Sequence, residues 1–131
     1  MLARSYKAMG RYEEATQAFG KAGKLVDEDP HLLAEHAEAL ALATGGSLRG
    51  RPSELIARAL KLDPQFPDAL VLAGTAAYER EDYAAAAAYW ERLLKLLPPD
   101  SEDAQSLADS IKKARAAAQK QTRKKPASGK P

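Results

Sequence analysis

Apolar residues along this chain recur at helical spacing, not in strand alternation. Leu33, Ala37, Leu40 and Ala41 share one face of a segment, and Leu55, Ile56, Ala59 and Leu60 share one face of the next. Between them "TGGSLRGRP" predicts a long turn. Gly45, Gly46 and Gly50 permit positive φ there, and Pro52 suits the first turn of the helix that follows. Leu107 and Ile111, four apart and flanked by Ala104 and Ala108, form a narrow apolar stripe in an otherwise polar segment. Asp100 or Ser101 can cap that segment, and Glu102 and Asp103 favour its first turn. Prolines punctuate the pattern: "DEDP" ends at Pro30, "KLDP" at Pro64 and "KLLP" at Pro98, a period of 34.

A period of 34 is that of the tetratricopeptide helix–turn–helix array. Residues 66–99, "FPDALVLAGTAAYEREDYAAAAAYWERLLKLLPP", resemble its pattern closely. Gly74 stands where the first helix needs a small residue, Tyr78 lies near that helix's end, and "EREDY" makes the turn. In the second helix Ala86 takes the tight crossing. Trp90, four residues on along the same face, takes the large aromatic position and is expected to fill the gap toward the next helix. The flanking alanines are helix formers with little packing commitment. The first unit matches with Ala3 and Tyr6, then Gly10 and Tyr12 at the turn, then Ala15, Phe19 and Ala22; its first helix is short, as in a truncated array. The middle unit departs from the pattern in its missing tyrosines and its long turn.

The expected fold is all-α: three helical hairpins closed by a C-terminal capping helix. The tetratricopeptide resemblance implies a right-handed superhelix. The expected boundaries are 1–30, 31–64 and 65–98 for the repeats and 100–118 for the cap, together a domain over 1–118, with a basic disordered tail over 119–131. A capping helix seals the last repeat and presents a polar face to water.

Composition agrees. Hydrophobic residues make up 45% of 131, which excludes wholesale disorder, and scarce Val, Ile and Phe favour helix over sheet. No cysteine is present, so disulfides and thiolate metal sites are excluded. No apolar run reaches the roughly 20 residues of a membrane span, and the polar, amphipathic start "MLARSYKAMGRY" is no signal peptide. The net charge of +2 hides an asymmetry: the last twelve residues hold five basic residues and no acid, against 15 basic and 18 acidic elsewhere. Such a tail can bind nucleic acid or anionic lipid, or simply remain solvated. The solvated reading is taken, with no nucleic-acid partner expected.

Little in the chain can carry catalysis. His31 and His36 are five apart, whereas helical zinc pairs stand at i, i+4, and no third ligand is near; surface or groove-lining histidines are expected. "TGGSLRGR" lacks the phosphate-loop spacing and its preceding strand. No serine has a nucleophile-elbow context, and Glu13 and Glu14 diverge on a helix. No enzyme, no metal and no cofactor is expected.

What remains is surface. Tetratricopeptide arrays bind peptides in a groove lined by the first helix of each hairpin. Carried across, the groove takes Arg4, Lys7 and Ala8 from unit one. Unit two supplies Ala34, Glu38, Ala41 and Leu42, and unit three Val71, Thr75, Tyr78 and Glu79. A basic entry, an apolar floor and some acid suit an amphipathic helix laid by its apolar face. The chain contains no asparagine, and Val71 and Thr75 are not cationic, so a carboxylate clamp for chaperone tails is not expected.

The phrases "LLAEHAEALA", "GGSLRGRP", "ALKLDP", "ALVLAGTAAYEREDYAAAAAYWERLL" and "LLPPDSEDA", with "GRYEEATQAFGKAGKL", resemble the periplasmic domain of CycH-type cytochrome c biogenesis proteins over most of residues 1–118. The resemblance implies a chaperone that holds the C-terminal helix of apocytochrome c while a membrane haem lyase complex attaches haem. It also implies a membrane anchor outside this chain. A general protein–protein adaptor is the alternative, for example the assembly factor of a periplasmic nitrite reductase, which shares the layout.

Overall fold

The computed structural model describes residues 11–22 and 28–124. They form six α-helices: α1 (Tyr12–Ala22), α2 (Pro30–Ala43), α3 (Arg51–Leu62), α4 (Pro67–Glu79), α5 (Tyr83–Leu94) and α6 (Glu102–Lys124). Neighbours in sequence pack as neighbours in space: α2 on α3, α4 on α5, and α6 on α5. The first helices of successive hairpins, α2 and α4, also touch. The helix expected ahead of α1, with Ala3 and Tyr6, lies outside the described residues.

Local chemistry sets the ends. Asp29 caps α2 by accepting from the His31 N–H at 2.9 Å, with Pro30 in the first turn, so this proline opens a helix as well as ending a unit. Asp82 accepts from the Ala85 N–H at 3.3 Å at the start of α5. Of the two candidates for α6, Ser101 is the cap, its hydroxyl oxygen accepting from the Ala104 N–H at 3.1 Å.

Two helices end by the same device. After α2, the Gly46 N–H donates to the Ala41 carbonyl and Gly45 sits at φ 95°. After α4, the Asp82 N–H donates to the Ala77 carbonyl, the Glu81 N–H donates to the Tyr78 carbonyl, and Glu81 sits at φ 64°. Both have the 6→1 bond of a Schellman closure, the second has its 5→2 bond as well, and the second puts a glutamate where glycine is the unstrained choice.

The core is built of small residues. Ala37, Ala39, Ala59, Ala69, Ala77, Ala86, Ala87 and Ala114 are fully buried, with Phe19, Leu33 and Leu70 as its large members. One cluster spans α1 to α4 and a second joins α4, α5 and α6; the half-buried Tyr89 packs against both.

Two expectations are corrected here, and a third, for Trp90, is widened. The cap does not end at 118: α6 continues through Lys124, so residues 119–124 are helical and not tail. Gln, Lys and Arg are good helix formers, and the Gln121 side chain donates to the Glu81 carbonyl at 2.8 Å, tying this end to the α4–α5 turn. His36 is neither on the surface nor in a groove; it is buried and stacks on Phe19 with ring centroids 5.3 Å apart. Trp90 packs on the preceding helix as well as toward α6. Its indole covers Gly74 and stacks on Tyr78 at 5.9 Å.

Candidate functional site

The apolar side chains left uncovered by packing show where a partner can sit. Among the described residues the large exposed hydrophobics are Leu42, Leu62, Val71, Tyr78 and Leu96. Three of these five, Leu42, Val71 and Tyr78, are positions the repeat pattern assigned to the groove. Val71 and Leu42 are each 44% exposed, a large uncovered fraction for helical aliphatic residues.

Two hollows open on this surface. The first, about 160 Å³, lies between α2 and α4. Ala34, Val71 and Leu72 line it with apolar atoms, and Glu35, Glu38 and Asp68 supply carboxylates. The second, about 370 Å³, lies between the start of α4, the end of α5 and the first half of α6. Pro67, Val71, Leu93, Leu97 and Leu107 give it apolar walls; Asp103, Ser106 and Ser110 are its polar members. Val71 belongs to both, so one apolar floor runs from α2 across α4 to α6.

The expected groove residues divide. Ala34, Glu38 and Val71 meet at the first hollow. Thr75 is exposed one turn further along α4, its hydroxyl donating to the Val71 carbonyl at 2.9 Å. Tyr78 is half-exposed and makes an edge contact with Tyr83, centroids 4.8 Å apart. Ala41 is buried in the core and leaves the groove. Arg4, Lys7 and Ala8 lie outside the described residues.

Glu79 has a different place. Its carboxylate accepts from the Ser47 hydroxyl at 2.7 Å and the Leu48 N–H at 3.1 Å, with the Arg49 guanidinium 3.7 Å away. Arg49 also donates to the Glu79 carbonyl at 3.0 Å. The Ser47 hydrogen bond, helped by the Leu48 N–H and the Arg49 charge, holds this carboxyl below the usual glutamate value against the opposing effect of burial. Glu79 therefore fastens the glycine-rich turn of the second hairpin to the end of α4, and Leu48 is buried beneath.

The α6 contribution was not assigned from the repeat pattern, which draws groove residues only from the first helix of each hairpin. Leu107 belongs to the helix expected to seal the last repeat. It packs against the second cluster and lines the second hollow as well. The sequence signal was the narrowness of its stripe, whose only large apolar members are Leu107 and Ile111.

Helical pairs in tandem, a glycine–tryptophan crossing in the third pair and a groove along the first helices define a tetratricopeptide-type protein. Residues 1–104 match the family model described as the cytochrome c-type biogenesis protein H TPR domain. The chain belongs to that family. Over 114 residues it is 34% identical to the cytochrome c-type biogenesis protein CycH of Pseudomonas aeruginosa, covering 87% of this chain and 28% of that protein. Over 101 residues it is 28% identical to the CycH of Rhizobium meliloti, covering 77% of this chain and 26% of that protein. The chain thus spans about a quarter of the length of these relatives. Among the described residues no helix is long and apolar enough to cross a membrane, and no cluster of side chains could hold a metal ion.

Proposed function

We propose that this chain is a non-catalytic peptide-binding domain that serves cytochrome c maturation by holding the C-terminal helix of apocytochrome c for haem attachment. It would work in the periplasm beside the subunits of a membrane haem lyase complex. The observation that carries the reading is the continuous apolar floor joined at Val71, bordered by carboxylates. It suits an amphipathic helix that buries apolar side chains and keeps its polar face in water. The proposed contacts are Ala34, Glu38, Leu42, Val71, Thr75 and Tyr78, with Arg4 and Lys7 ahead of them. Apolar burial would supply most of the affinity, at roughly 25 cal/mol per Å² before ordering costs.

The test is calorimetric titration with a peptide of an apocytochrome C-terminal helix, followed by circular dichroism. Binding with a gain of helicity supports the reading, and a flat titration at high micromolar peptide sinks it.

A further inference from the structure

The charge of this chain is segregated along its length. From Ser110 to Pro131 there are eight basic residues and no acid, whereas the first 109 residues carry twelve basic against eighteen acidic, a net −6. Much of that basic stretch is the second half of α6. With about 100° per helical residue, Lys112, Lys113, Lys120 and Arg123 fall within one arc of about 100°. All four are exposed. The arc is centred opposite the stripe of Leu107, Ile111 and Ala114 that packs on α5. Lys112 and Arg123 stand roughly 16 Å apart along the helix.

Packing within the fold does not use this face. Among the described residues none of the four cations is paired with a carboxylate, while Arg115, on another side of the helix, is held by Glu91. Between the cations lie the exposed Ala116 and Gln119, one acid, the exposed Asp109, stands on the same face a turn before Lys112, and the face carries no large apolar side chain. It offers an array of point charges with neither a pocket nor a fork for one ligand.

We propose that the outer face of α6 docks this domain on an anionic phospholipid surface. Lysine-rich arrays on helices bind such surfaces electrostatically, each cation contributing independently. Nucleic acid fits less well. No aromatic residue follows Trp90 to stack on bases, and three of the four cations are lysines, which lack the planar fork of arginine. Of the α6 residues that line the second hollow, Asp103, Leu107 and Ser110 lie about a third of a turn or more from the centre of the basic face and Ser106 about a fifth, so docking leaves the first hollow open and borders the second only at Ser106.

The experiment is flotation of the full chain with phosphatidylcholine vesicles containing about one-third phosphatidylglycerol, beside pure phosphatidylcholine vesicles and a duplex DNA gel shift. The expected result is binding to the anionic vesicles alone, lost at high salt. Replacing the four cations by glutamine should weaken it by roughly fivefold per cation removed. Lys112→Arg, Lys113→Arg and Lys120→Arg together should keep it, which separates charge from fold. Equal or absent binding to both vesicle types overturns the proposal. So does undiminished binding by the glutamine variant, or a duplex bound at lower protein concentration than the vesicles.

Discussion

The indole of Trp90 lies on the bare backbone of Gly74. A methyl group added at Gly74 would overlap indole Nε1 and Cδ1 and stand 2.7 Å from Cε2. Backbone on one side and the Tyr78 ring on the other leave the indole little room to move aside. Gly74→Ala should therefore destabilise the domain by about 1–3 kcal/mol and shift the Trp90 fluorescence. Denaturant unfolding followed by that fluorescence reads both; unchanged stability with unchanged emission would contradict the packing.

The alanine run of α5 contains a second contrast. Ala86 is fully buried and Ala88 is exposed. Ala86→Leu should cost about 1–3 kcal/mol by overpacking, and Ala88→Leu should stay within about 0.5 kcal/mol. Comparable melting temperatures for the two variants would refute the assignment of faces.

Glu79 should matter for stability. Glu79→Ala leaves the Ser47 and Leu48 donors unmatched and should cost about 1–2 kcal/mol. The pH dependence follows from the lowered carboxyl value. A depressed folded value means the stabilisation is complete above the ordinary carboxylate range and is lost as pH falls through the folded value. The gap between wild type and Glu79→Ala should thus be constant near neutrality and close as pH falls below the ordinary carboxylate range. A gap that widens on acidification would reverse the sign.

The proposed binding surface can be separated from the fold by two equally drastic changes. Val71→Glu should lower peptide affinity at least about tenfold while leaving melting nearly unchanged, because the side chain is already 44% exposed. Leu62→Glu, at a site 50% exposed on α3, is the control and should bind normally. Isothermal titration of both decides; equal loss in the two would remove Val71 from the site.

Glu81 offers a gain. Its φ of 64° is a left-handed conformation that costs a residue with Cβ about 1–2 kcal/mol. Glu81→Gly should stabilise the domain by about 0.5–1 kcal/mol after the extra unfolded-state freedom of glycine is subtracted. A lower melting temperature would show that its side chain matters more than its backbone.

Most of the fold was legible because it rests on local rules. Gly45 and Pro52 announce a helix end and a helix start, and the small residues Gly74 and Ala86 mark close approaches. Long-range pairings were not legible. Nothing in the sequence around Glu79 says that it meets Ser47, 32 positions earlier. The spacing of the histidines could not reveal that His36 would stack beneath Phe19, because that contact comes from the docking of α1 on α2. The site was half legible for the same reason: α2 and α4 follow the repeat, whereas Leu107 reaches the surface only through the way α6 is laid across the third hairpin.

The sharing of Val71 by two hollows turns the surface into a ruler. The two hollows lie on either side of α4 and meet at this one side chain, so a ligand that fills both has to cross a single helix, about 10 Å wide. At 1.5 Å per residue, a helical ligand would need about seven residues, two turns, to make that crossing. A shorter helix would leave one hollow wet. If the proposed groove takes a helix, the length of that helix's apolar stripe would then count as much as its residues.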